Sequence, residues 1–174
     1  MGQYYFPIIL DDQGRILVWM HAMRYQNGMK LLEHAYIGNS FVSTFEFGLS
    51  PESIYYKSRV VWAGDYADKE LHSIQNLSQM CNEYNAIFPK VKNTDKYRFV
   101  VNHTKRQFVD KNRMKDDENG YRLHPLPLLT VEGNGRGGGD YHGNCEFIGT
   151  WARDVISVEE FAPDETYEKI QLDI

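Results

Sequence analysis

The chain has 174 residues, 24 acidic and 19 basic side chains, and a formal charge of −5. That length suits one domain and is enough to bury a core without disulfide or metal staples. Hydrophobic residues at 42%, with 12 Tyr, 9 Phe and 3 Trp, exclude general disorder, and the mild acidity argues against a nucleic-acid binder held by phosphate contacts.

Residues 4–10 are aromatic and β-branched, Asp11-Asp12-Gln13-Gly14 is a turn signal, and 16–20 is a second apolar run, which together predict a β-hairpin. Both runs are too continuously apolar for a two-faced strand, so at least one is expected to be covered on both sides. Asn27-Gly28 reads as a left-handed turn. Short helices are expected over 29–35 and 41–47, the second capped by Ser40 and ended by Gly48 and Pro51. Residues 59–62 read as a strand. Residues 69–84 read as the longest helix, on a stripe of Leu71, Ile74, Leu77, Met80 and Tyr84. Residues 97–101 and 107–110 pair as strands across a turn at 102–106. Residues 121–129 are apolar but carry Pro125 and Pro127, which predicts an extended edge segment. A glycine-rich loop covers 133–143. Two short strands come next at 147–151 and 155–158, and a last element at 167–172. No composition shift marks a linker. Strands in hairpins, with helices gathered in the first half, predict an α+β fold: one globular domain over 1–174, with a mainly antiparallel sheet and two or three helices.

Cys81 and Cys145 make neither a disulfide framework nor a metal site and are expected to be reduced thiols of a cytoplasmic protein. No run approaches the ~20 apolar residues that cross a bilayer, and Met1-Gly2-Gln3 lacks the basic start of a signal peptide. Gly2 fits the myristoylation pattern, but Phe6 stands where that pattern needs Ser or Thr. The six His include no His-x-x-x-His or Glu-x-x-His pair, so no bound metal is expected, and no cofactor.

Two strings echo each other. Trp62-Ala63-Gly64-Asp65 and Trp151-Ala152-Arg153-Asp154 share Trp-Ala-x-Asp, each after a β-prone run. The structural reading buries each Trp and lets each Asp cap a turn. The functional reading puts Asp65 and Asp154 at one end of the sheet, facing one cleft. Gly133-Asn134-Gly135-Arg136-Gly137-Gly138-Gly139-Asp140 contains a formal Gly-x-Gly-x-x-Gly match. The stretch Asp140-Tyr141-His142-Gly143 at its end is no helix start, which argues against a dinucleotide fold. Glycines do let backbone N–H groups converge on an anion, and Arg136 adds a bidentate grip. The candidate ligand-binding residues are therefore Gly135, Arg136, Gly137, Gly138, Asp140 and Tyr141, together with Trp62, Trp151, Asp65 and Asp154.

For catalysis, His103, His124 or His142 would serve Asp65, Asp140 or Asp154 in a general-base pair, and Cys145 and Ser157 are the candidate nucleophiles. Spacing specifies no such set, so no catalytic residue is assigned. Lys105, Arg106, Lys111, Arg113 and Lys115 form the one basic cluster. Asp116-Asp117-Glu118 adjoins it at once, so the stretch reads as a solvated loop before it reads as a docking patch.

Several strings taken together resemble small proteins of phages, prophages and gut-type bacteria: Met1 to Tyr5, Leu32-Glu33-His34 with Tyr36-Ile37-Gly38-Asn39, and Val61 to Asp68. Asn102-His103-Thr104-Lys105, the stretch from Leu126 through Asp140-Tyr141, and Gly149 to Asp154 extend the resemblance over most of the chain. It implies an accessory protein, of the kind that blunts host defences such as CRISPR or other immune effectors, and it carries over no catalytic residue. Three functions are expected in descending order. The first is a binding protein that inhibits a host protein through aromatic surface and the glycine loop. The second is a pocket for a small anionic ligand such as a nucleotide, with Tyr141 or Trp151 stacked on the base. The third is an Asp/His hydrolase.

Overall fold

The computed structural model describes residues 2–81, 94–133 and 145–174. The predicted hairpin is present. Strands β1 (Tyr5–Leu10) and β2 (Ile16–Trp19) pair antiparallel across a turn in which Asp11 Oδ1 accepts from the amides of Gln13 and Arg15. The left-handed residue near 27 is Gln26 (φ 58°), not Asn27 or Gly28.

Helices α1 (Leu31–His34) and α2 (Ser40–Phe47) come next. The cap of α2 is Asn39 instead of Ser40: Asn39 Oδ1 accepts from the amides of Phe41 and Val42, while its Nδ2 donates to Asn27 Oδ1 at 2.6 Å. Asn39→Ala removes both links and is expected to cost about 1 kcal/mol, typical of a lost cap. A thermal melt followed by circular dichroism should fall by roughly 2–4 °C; an unshifted melt would mean the cap contributes nothing.

The chain continues through β3 (Ser58–Gly64), α3 (Leu77–Met80), β4 (Phe99–Asn102), β5 (Gln107–Asp110), α4 (Pro125–Thr130), β6 (Val131–Glu132), β7 (Val155–Glu159) and β8 (Glu168–Lys169). The sheet order is β2-β1-β3-β7-β4-β5-β8, with β6 parallel to β3, β8 parallel to β5 and every other pairing antiparallel. This is an α+β architecture with one mixed eight-stranded sheet. Among the described residues it has four short α-helices where two or three were expected. Among the described residues no helix is long and apolar enough to cross a membrane.

β1 is covered on both faces, as its unbroken apolar run predicts, and β3 beside it is covered on both faces too. Tyr5, Ile9, Val60 and Trp62 face the main core with Phe41, Phe45 and Leu126. Ile8, Leu10, Val61 and Ala63 face a second cluster with Trp19, Leu77 and Cys81. Each such side chain contributes roughly 1.5–3 kcal/mol on burial, so the centre of the sheet carries much of the stability.

Three segments depart from the sequence expectation. Only Leu77–Met80 of the long helix forms among the described residues, and Leu71 and Ile74 are 86% and 85% exposed instead of lining a core stripe. The cause is local. Asn76 Oδ1 accepts from the Gln79 amide and Gln79 Oε1 accepts from the Asn76 amide, a capping box that starts the helix late. The same Asn76 donates Nδ2 to the carbonyls of Asp65 and Ala67, folding residues 65–76 into turns. Tyr84 lies outside the described residues. Second, residues 121–129 are not an extended edge, because Pro125 and Pro127 sit in the first turn of α4, where a missing amide has no intrahelical partner to lose. Third, residues 147–151 are turns, not a strand; the amides of Gly149 and Trp151 donate to the carbonyls of Leu128 and Leu129 at the end of α4.

Candidate functional site

The Asp side chains of the two Trp-Ala-x-Asp segments are not brought to one cleft. Both indoles are fully buried: Trp62 Nε1 donates to His34 Nε2 at 2.9 Å, and Trp151 Nε1 donates to Gln107 Oε1 at 3.0 Å. Neither ring face is open to stack on a base. Asp154 lies beside Val60, whose amide donates to the Asp154 carbonyl at 3.1 Å, near the start of β3. Asp65 sits just past the other end of β3, about 16 Å away at ~3.3 Å per residue. The expected shared cleft is therefore replaced by two ties. Asp65 Oδ1 accepts from the Tyr4 amide at 3.0 Å, and Asp154 Oδ2 accepts from Asn102 Nδ2 at 2.8 Å and from Lys105 Nζ. Gly135, Arg136, Gly137, Gly138, Asp140 and Tyr141, with His142, lie outside the described residues. Arg153, at the left-handed φ of 69°, clasps Glu132 and Glu70, each with two hydrogen bonds, and so anchors the turns at 65–76 to the sheet.

The basic cluster is dispersed into partners. Lys105 pairs with Asp154, Lys111 with Glu46, Arg113 with Asp110 and Lys115 with Asp173, while Arg106 binds Thr166 and lies over the Tyr167 ring. Lys111, Glu46 and His124 form a charged group inside the protein, with the Lys111 and Glu46 side chains 7% and 1% exposed. Burial would push the Glu46 carboxyl up, but the imidazole of His124 and the ammonium of Lys111 outweigh it and keep the carboxyl below its usual range. Thr94 Oγ1 also donates to Glu46, at 2.7 Å. His124 Nδ1 accepts from the Leu126 amide at 3.1 Å, which leaves its proton on Nε2, 3.3 Å from Glu46 Oε2. That last contact is close but poorly aligned, so its attraction is mainly electrostatic.

One Ser–His contact exists on the sheet. His103 Nε2 lies 2.7 Å from Ser157 Oγ, and Ser157 in turn donates to Glu159 Oε1 at 2.7 Å. Since the single hydroxyl proton goes to Glu159, the imidazole must donate from Nε2, and its Nδ1 then accepts from Tyr167 O–H at 3.0 Å. Tyr56 O–H also donates to Glu159, at 2.6 Å; burial first, then this bond, pushes the Tyr56 phenol up to about 12. The polarity is the reverse of an activated nucleophile, and Ser157 is wholly buried. Cys145 sits at the rim of a small hollow of about 260 Å³ with Phe147, Gln171 and Asp173. Among the described residues no group of three or more His, Cys, Asp or Glu side chains is placed to hold a metal ion.

Among the described residues, a cleft of about 510 Å³ is lined by Glu33, Tyr36, Ile37, Gly38, Asn39, Asn119 and Tyr121. Its walls are two tight turns. On one side the Tyr36 amide donates to the His34 carbonyl, the Asn39 amide donates to the Tyr36 carbonyl, and Gly38 takes φ +90°. On the other, Asp117 Oδ1 accepts from the amides of Asn119 and Tyr121 at 2.8 Å, and Gly120 takes φ +80°. The walls are joined by a bridge between Tyr36 and Leu123 and by the Ile37 amide donating to the Arg122 carbonyl. The Tyr36 and Tyr121 rings lie 5.4 Å apart at 59°, and Tyr121 is 61% exposed. Burial, and then the nearby Asp117 carboxylate, raise the Tyr36 phenol above its ordinary value. None of these cleft residues stands out in the sequence as a binding residue. The signals are there, two Gly-containing turns each beside a Tyr, but they stand more than eighty positions apart. No protein-family model, no curated protein and no solved structure matches the chain.

Proposed function

We propose that the protein works by binding a host protein, as a phage- or prophage-type accessory protein in the host cytoplasm, and that the Tyr36–Tyr121 cleft is the docking surface. The observation that carries this reading is the cleft itself: a concave site of about 510 Å³ whose exposed aromatic edge is held by hydrogen-bonded turns. Tyrosine suits such a role because it buries a large area while losing few rotamers. Preformed walls reduce the ordering cost of association. Asp65, Asp154, Trp62 and Trp151 are engaged within the fold, and the Asn119 and Asn39 amides in the lining offer the polar contacts that rim an interface.

The test is affinity capture from lysate of the host bacterium with wild type and with Tyr121→Ala. Tyr121 is exposed, so the variant should melt as the wild type does. Wild type should retain a specific protein that Tyr121→Ala loses by tenfold or more, the effect of removing an interface hot spot, roughly 2 kcal/mol. Equal retention by both proteins contradicts the reading.

A further inference from the structure

Resting on that reading, we propose that the group docked on Tyr121 beside Tyr36 is a cation, the guanidinium of an arginine in a basic segment of the partner protein. Three observations support it. The two rings stand 5.4 Å apart with planes 59° apart, a tilted contact and not a closed stack, and Tyr121 is 61% exposed, so its ring is open to a further group. Ring faces carry negative potential and attract cations within about 6 Å. The charge around the two rings has the matching sign. The wall segments 30–39 and 116–122 hold the carboxylates of Glu33, Asp116, Asp117 and Glu118 against Lys30 and Arg122, with His34 buried. Arg122 is itself paired with Asp116 at 3.7 Å, which among the described residues leaves Glu33 in the lining, and Asp117 beside Tyr36, without a neutralising arginine. Finally, the chain as a whole carries −5, so a basic partner is drawn to it and an acidic one repelled. A guanidinium fits better than an ammonium because it is planar, stacks on aromatic rings and is more weakly hydrated.

The probe is a short Gly/Ser peptide bearing three arginines, titrated into ¹⁵N-labelled protein, with a control peptide in which glutamine replaces each arginine. The arginine peptide should shift the amides of Tyr36, Ile37 and Tyr121, and added salt should weaken it. Tyr121→Ala should raise its Kd about tenfold or more. Glu33→Gln with Asp117→Asn should also weaken it; each replacement keeps the oxygen that the helix cap or the turn uses and removes only the charge. Binding of the glutamine peptide within about twofold of the arginine peptide overturns the cation. So does an arginine peptide whose shifts map away from the cleft, or one that Tyr121→Ala binds as tightly as wild type does. Capture lost in Tyr121→Ala without any preference for arginine removes the cation and leaves the docking surface; capture retained removes both.

Discussion

Replacing Lys111 by Met is expected to destabilise the protein by about 3–5 kcal/mol, the cost of leaving one member of a buried ion pair without its partner. Glu46 is 1% exposed and Lys111 7%, so the stranded carboxylate has no route to water. Thr94 and His124 remain beside it, but neither supplies a full positive charge at neutral pH; burial holds the His124 imidazole below its ordinary range. For a chain of this length the melt should fall by roughly 6–20 °C. The double variant Lys111→Met with Glu46→Gln should recover part of the loss, because the two positions form one network and their effects do not add. A Lys111→Met protein within about 0.5 kcal/mol of wild type would show that the pair is idle. The group matters beyond stability. Glu46 belongs to α2, Lys111 comes directly after β5, and His124 directly after the bridge that joins the cleft walls. The His124 amide also donates to the Ala35 carbonyl at 2.8 Å, so the network lies directly behind Tyr36 and Tyr121.

The second large effect is acid destabilisation through His34. Burial depresses this imidazole from 6.5 to about 4, and its bonds demand the neutral form: Nδ1–H donates to the Gly28 carbonyl at 2.9 Å while Nε2 accepts from Trp62. A proton on Nε2 would set two donors against each other. In the unfolded chain the same imidazole titrates near 6.5, so the unfolded state takes up the proton first as the pH falls. The stabilising contribution is complete above pH 6.5 and is lost progressively as the pH falls through about 4, reaching about 3 kcal/mol. Urea midpoints at pH 7.0 and 4.5 measure it. His21, His103 and His124 are also depressed, each chiefly by burial, and add slope of the same sign. The specific readout is therefore His34→Gln, which should start less stable and show a shallower pH dependence than wild type over this window. An identical pH slope in both proteins would contradict the assignment.

Sequence patterns succeed where apolar runs and short turns decide the structure. The hairpins β1–β2 and β4–β5 are short-loop pairings of apolar runs, and the continuous apolarity of β1 correctly announces two covered faces. The burial reading of both Trp residues also holds, but neither Asp side chain caps a turn; each ties segments far apart in the chain. Specific side-chain caps, and meetings of segments far apart in the chain, are what periodicity does not reveal. Leu71 and Ile74 have helical spacing, yet Asn76 bonds Asp65, Ala67 and Gln79 and starts the helix after them. Prolines at 125 and 127 suggest an edge until His124 is seen capping a helix. The cleft depends on the pairing of residues 35–37 with 122–124, and nothing in either segment alone encodes that meeting.

A photoreactive phenylalanine analogue placed at position 121, with position 161 as control, tests the docking surface most directly. Both native side chains are exposed, Tyr121 at 61% and Phe161 at 76%, so either position tolerates the label. Phe161 lines a different hollow, with Pro51, Glu52 and Lys96. Irradiation in host lysate should give one crosslinked product at 121, suppressed by excess unlabelled wild type and by Tyr36→Ala in the labelled chain, and none at 161. Products at 161 alone, or the same products at both positions, would contradict docking at the tyrosine cleft.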